Sequence, residues 1–254
     1  EIEEDYRIAP RVKEFPLGKY TNFWNAVQRG SIFYSRHTLL YNFIPFEMFQ
    51  GIFNEMYLLT YQFEYSTMSS FFKYIGVPYS LVSVIGKYPK FELVEYKPEY
   101  SFEWKENILS LINIVDHKIN DIGNPYLARK DMYSFKSLSN NWYIRSRNEQ
   151  SRIQISRNMR NFFENMSRED GKYRLWTTYK VAKKELSGNG VSNQNWLAMN
   201  TRATNDYRHK SAIAYPINRF MNPYLNAVFG RKGIPVDEDG FAVAETIQFL
   251  LRSR

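Results

Sequence analysis

Short apolar runs alternate with amphipathic stretches along the chain, the pattern of an α/β organisation. Residues 31–34, 56–63 and 79–85 are short and rich in Tyr, Leu, Val and Phe, and predict strands. Between them, Phe46 to Phe53 and Thr67 to Ile75 predict helices, the second stopped by Gly76 and Pro78. Strand, helix, strand implies parallel strands joined by crossovers. Residues 86–103 mix Pro, Tyr, Lys and Glu and read as a connector or an edge hairpin.

In the second half the periodicity is clearer. Ile155, Met159, Phe162 and Met166 recur at spacings of a helical face within Gln150 to Met166, leaving Arg157 and Arg160 off that stripe, toward solvent or a ligand. Leu175 to Tyr179 predicts a strand, Val181 to Leu186 a short helix closed by Gly188 and Gly190, and Trp196 to Met199 another short strand. Tyr207 to Phe220 has helical character interrupted by Pro216. A last helix runs from Phe241 toward Arg254, capped by Asp237 or Asp239, with Val243, Ile247, Leu250 and Leu251 expected to pack on a sheet. The division predicted is 1–110 for a partial first α/β lobe and 111–254 for a second.

Charge sharpens that division. Residues 1–127 hold 12 Lys/Arg against 15 Asp/Glu, whereas residues 128–254 hold 22 against 11. Between Arg129 and Lys184 there are 14 basic and 5 acidic residues, interleaved with Trp142, Tyr143, Tyr173, Trp176 and Tyr179. Basic groups beside aromatic rings suit a phosphate backbone with bases to stack, so DNA or RNA is the expected partner. The chain has no cysteine and three dispersed histidines, which leaves no thiolate chemistry and no zinc spacing. The apolar region from Thr38 to Thr60 is broken by Asn42, Pro45, Glu47, Asn54 and Glu55, too interrupted for a bilayer span. Together with an acidic N-terminus unlike a secretory signal, this predicts a cytoplasmic protein with no membrane partner.

One constellation at the end of the chain carries specific chemistry. Gln248 and Arg252 are four residues apart on one helix face, and guanidinium forks bind phosphate oxygens bidentately. The run Ala244 to Arg254 resembles the last motif of superfamily 2 helicases, a glutamine followed four residues later by an arginine finger. Tyr57 to Phe63, with Thr60, resembles the threonine motif coupling the first motor lobe to nucleic acid. Leu175 to Lys180 resembles a second-lobe motif in which Thr177, Thr178 and Lys180 grip backbone phosphates. Trp196 to Tyr207 resembles the loop before the finger, carrying Arg202, Asn205 and Asp206. The order of these segments is that of helicase-like proteins of bacteriophages and mobile elements.

The resemblance implies two RecA-like lobes with mostly parallel sheets, the first incomplete. It also implies ATP and magnesium as cofactors, Arg252 and Gln248 as catalytic residues, and replication or viral assembly proteins as partners. A phosphate loop is not visible: Leu17 to Thr21 lacks the earlier glycine and a preceding strand. Val236 to Gly240 is acidic but follows a loop, and reads as a helix cap rather than a magnesium motif. The chain is therefore expected to be the back portion of a longer motor or a relative that binds without hydrolysis. The alternative class is a non-catalytic basic protein that binds nucleic acid or helps assemble a virion.

Overall fold

Three-residue strands lie at the centre of the second half. β5 (Arg174–Trp176) pairs in parallel with β6 (Ala212–Ala214) in the register Arg174↔Ala212, Leu175↔Ile213, Trp176↔Ala214. On the other edge of β5, Trp196 forms a parallel bridge to Trp176, and the Leu197 N–H donates to the Trp176 carbonyl at 3.0 Å. The computed structural model describes residues 2, 7–13, 18–35, 38–41, 53–97, 102–122, 137–145, 148–201 and 204–253.

Strand alternation sends neighbouring side chains to opposite faces, and helices cover both. Trp176, Ala212 and Ala214 pack with Ile155, Met159 and Phe163 from the α5 (Glu149–Asn161) region and with Ala182 and Leu186 of α6 (Lys180–Leu186). Leu175 and Ile213 turn the other way, onto Leu197 and onto Phe249 of α8 (Glu238–Leu250). Trp176, Phe163, Leu175 and Phe249 have no measurable exposure, so each contributes roughly 1.5–3 kcal/mol of burial to this three-layer arrangement. The α5 stripe holds for Ile155 and Met159. A π-helical turn, Phe162–Met166, then brings Phe163 rather than Phe162 into full burial.

A second core joins the two halves of the sequence. Phe33 of β1 (Ile32–Ser35) and Tyr74 of α2 (Thr67–Ile75) pack against Met221, against Val228 and Phe229 of α7 (Pro223–Arg231), and against Phe241 of α8. α2 occupies its predicted span: the Ser66 hydroxyl accepts from the Ser69 N–H at 3.1 Å, and Gly76 closes it at φ 72°. α8 begins at Asp237, whose carboxylate accepts from the Gly240 N–H at 2.8 Å. Its buried face is Phe241, Ala244 and Phe249, whereas Val243, expected inside, is 52% exposed.

The first half departs from the parallel lobe expected of it. β1 pairs antiparallel with β2 (Thr38–Tyr41), and β3 (Val82–Lys87) pairs antiparallel with β4 (Lys90–Glu95). Two-residue connections permit only antiparallel return, since a parallel neighbour needs a crossover of a dozen residues or more. No parallel strand pair occurs among the described residues of this half. Residues 56–62 form no strand, and Thr60 is exposed in irregular chain. The predicted helix 46–53 falls almost wholly outside the described residues. α1 (Thr21–Gln28) and α3 (Phe102–Leu111) complete this half, and α4 (Asn140–Ile144) precedes α5.

Two expectations for the second half also change. Tyr207 to Phe220 contributes β6 instead of a helix, because Pro216 breaks helical bonding and Ala212 to Ala214 complete the ladder of β5. Trp196 to Met199 supplies a single bridge rather than a strand. No helix among the described residues is long and apolar enough to cross a membrane.

Candidate functional site

At their carboxyl ends, β5 and β6 release the chain in different directions. Thr177 to Tyr179 lead into α6 on one face, while Tyr215 to Phe220 lead toward α7 and then to α8 on the other. Such a divergence marks the strand ends as the position where open α/β sheets place their ligands. The Tyr179 hydroxyl spans the divergence, donating to the Asn218 carbonyl at 2.9 Å. Beside it, Arg219 Nη2 lies 3.1 Å from Glu245 Oε2 of α8, and the guanidinium carbon sits 5.9 Å from the centre of the Phe241 ring. Glu245 and the ring thus fix the guanidinium from two sides.

Hydroxyl groups line the same edge. Thr177 continues the ladder through its N–H to the Ala214 carbonyl at 3.2 Å, and its side chain is fully buried. Thr178 is 1% exposed and faces Tyr143, whose hydroxyl donates to the Pro216 carbonyl. Burial raises the pKa of Tyr143, and the Thr178 hydroxyl partly opposes the shift. Burial likewise raises Tyr179 and Tyr215; Arg219 opposes it at Tyr179, and the Thr246 hydroxyl followed by Arg219 opposes it at Tyr215. Burial holds these phenols neutral, with Arg219 beside Tyr179 and Tyr215 and Arg152 the cation near Tyr143.

The predicted site residues separate into groups. Thr177 and Thr178 stand at the strand ends, where both side chains are buried. Lys180 follows them and is exposed. Gln248 and Arg252 belong to the later part of the α8 segment. Thr246 stands beside Tyr215, and the Phe249 ring packs on Ile213 with its centre 5.4 Å from that of Tyr215. Arg252 is seven residues beyond Glu245, about 10 Å along the axis. Its Nε donates to the Gln248 carbonyl at 3.3 Å and its guanidinium carbon lies 5.6 Å from the Phe249 ring centre. The guanidinium at the strand ends is that of Arg219.

Asn205 and Asp206 are exposed in the crossover before β6, where the Thr204 hydroxyl donates to Asp206 Oδ2 at 2.8 Å. Arg202 lies outside the described residues. Arg157 and Arg160 are exposed on α5, and Arg160 Nε lies 2.8 Å from Glu164. Ser156, beside Arg157, donates to the Leu186 carbonyl of α6 at 3.2 Å, so these arginines flank α6. The outer side of α6 carries Lys180 and Lys184, and Lys183 Nζ lies 4.2 Å from the centre of the Trp196 ring. Arg157, Lys180 and Lys184 have no ion-pair partner among the described residues.

The profile of the YonV C-terminal Rossmann-like domain matches residues 106–254. The chain belongs to this family. It is also 32% identical over 228 residues to the SPbeta prophage-derived uncharacterized protein YonV of Bacillus subtilis (strain 168), an overlap covering 90% of this chain. The overlap takes in 52% of that protein, so the chain spans about half the length of the curated relative it matches. No solved structure matches.

The Rossmann-like description agrees with the parallel pair covered on both faces, and a phage-derived relative agrees with the phage part of the sequence resemblance. Within this family domain, the sequence pattern reached Thr177, Thr178, Lys180 and, as a stacking ring, Tyr179, but missed Tyr215, Arg219 and Glu245. Arg219 is 42 residues from Thr177 and 26 from Glu245, so no local spacing joins them. One signal was present: Glu245, Gln248 and Arg252 form one helical stripe, and a carboxylate in a stripe that also carries an arginine invites a search for a second cation.

Proposed function

We propose that this chain binds nucleic acid through the basic layer formed by α5 and α6. The observation that carries the reading is the outer side of α6: Lys180 and Lys184 are exposed, Lys183 is held over Trp196, and Arg157 flanks them from α5. Unengaged cations collect phosphates, and each neutralised phosphate releases counterions. Fluorescence anisotropy with labelled single-stranded and duplex DNA and RNA tests it. Replacing Lys180, Lys184 and Arg157 together by alanine is expected to weaken binding at least tenfold and to lower the slope of log affinity against log salt by about 2–3. Unchanged affinity and slope refute the placement.

A second reading keeps the nucleoside-triphosphate-driven motor, a helicase-like ATPase of replication or remodelling acting in the cytoplasm with replication or viral assembly partners. A parallel α/β sheet with a fixed guanidinium at its strand ends favours it, since such a group can stabilise phosphoryl charge. The residues present fit a phosphate group: Arg219 and the hydroxyls of Thr177 and Tyr215 are donors of the right kind. They do not by themselves make a magnesium cage, because Glu245 is paired with Arg219 and no group of three or more metal-binding side chains occurs among the described residues. Calorimetry with ATP and magnesium, with and without a nucleic-acid strand, checks this reading; no binding in either condition rejects it.

A further inference from the structure

We infer that the carboxyl edge of β5 and β6 receives a phosphoryl group, gripped by Arg219, with Glu245 as the carboxylate that positions the guanidinium. Arg219 commits Nη2 to Glu245 at 3.1 Å and lays its plane near Phe241, yet its Nε is buried with no hydrogen-bond partner among the described residues. The Thr177 and Tyr215 hydroxyl oxygens share that condition. Both residues continue the strand positions of Leu175 and Ile213, which face α8, so they open toward the side of the sheet that carries Glu245. The Thr246 hydroxyl stands beside Tyr215 but gives its proton to the Ala242 carbonyl at 2.8 Å.

Buried polar atoms almost always have partners, so three incomplete ones at one sheet edge mark a place that an outside group completes. A phosphate offers several acceptor oxygens and a charge that guanidinium, threonine and tyrosine donors match together. Glu245 is itself an oxyanion against Arg219, and a phosphoryl group entering there would share the guanidinium fork or displace the carboxylate from it. These atoms lie where connections from adjacent parallel strands diverge, the position at which α/β sheets admit phosphate ligands. This inference supplies the phosphate position that the triphosphate reading requires, yet it needs neither hydrolysis nor the lysine layer on α6.

The test is a thermal shift of the full chain with pyrophosphate, with ATP, and with a short single strand carrying or lacking a 5′-phosphate. Pyrophosphate and ATP are expected to raise Tm by about 5 °C at roughly one hundred times Kd. Arg219→Gln should abolish the shift. A shift seen only with the 5′-phosphorylated strand, and lost in Arg219→Gln, keeps the phosphoryl site and assigns its source to nucleic acid. Should Arg219→Gln fail to fold, Glu245→Gln provides the second measurement: removing the competing charge should tighten pyrophosphate binding several-fold, and unchanged or weaker binding overturns the inference. It is equally overturned if no probe shifts the unmodified chain, or if every shift survives in a folded Arg219→Gln. Because nucleic-acid binding through α6 is read separately by anisotropy, either proposal can fail alone.

Discussion

Tyr143, Tyr179 and Tyr215 surround the strand ends with three phenols whose pKa values burial raises above the ordinary value near 10. Below that value, folded and unfolded chains are both protonated, so the contribution of these groups to stability is complete. As pH climbs past 10 the unfolded chain loses these protons first, and stability falls. Urea denaturation at pH 8 and at pH 10.5 should therefore show a lower midpoint at the higher pH. In an alkaline titration followed at the tyrosinate band, these three of the 20 tyrosines should ionise only together with unfolding. Tyr143→Phe, which keeps the ring but removes the hydroxyl bonded to Pro216, should lessen the alkaline loss. Early ionisation of all tyrosines in a folded chain contradicts the packing.

Among elements, α8 has the strictest local requirement. Gly240 lies in its first turn, and a Cβ there would stand inside the contact radius of the Tyr65 ring and close to the capping Asp237 carboxylate. Alanine is the better helix former by about 1 kcal/mol, but only if the ring can withdraw. Since α8 also packs through Phe241 into the core that Phe33, Tyr74 and Phe229 share, the clash should dominate. Gly240→Ala is expected to destabilise the chain by about 1–3 kcal/mol in urea, and Tyr65→Ala in the same chain should recover part of that loss. A stabilised single variant would place Tyr65 elsewhere.

The same elements explain how much was legible beforehand. α2 and the start of α8 carry their own punctuation in Ser66, Gly76 and Asp237, and local chemistry located both. β6 carries none: three residues beside a proline become a strand only because β5 offers a parallel partner. The β1–β2 hairpin was missed, and the β3–β4 hairpin was reached only as the edge-hairpin alternative over residues 86–103, for a related reason: apolar runs identify strands without giving the direction of their neighbours. Arg219 stayed hidden because its partners come from other elements, while Gln248 and Arg252 drew attention through a spacing within one helix.

For the whole molecule, the boundary of the family match and the boundary of the packing differ. The match begins at residue 106, but Met221, Val228, Phe229 and Phe241 complete their core with Phe33 and Tyr74 from outside it. A chain cut to residues 106–254 should expose those side chains, bind a hydrophobic dye and melt below the 254-residue chain, while the core around Trp176 keeps its near-ultraviolet signal. Equal melting temperatures for the two chains would show that the shared core contributes nothing. Among the described residues, 16 of the 22 exposed large apolar side chains belong to residues 1–105, so the cut would leave the better-covered surface behind.

α8 contributes Phe241 to one core and Phe249 to the other, and Glu245 lies midway between them. Eight residues separate the two rings, about 12 Å of rigid rod. A push on Glu245 is therefore applied near a fulcrum, and the rod can answer only by tilting both anchors or neither. Amide exchange along Phe241 to Phe249 should accordingly proceed as one cooperative unit, and the residence time of whatever occupies Arg219 would be written into the opening rate of a helix that also secures the first half of the chain.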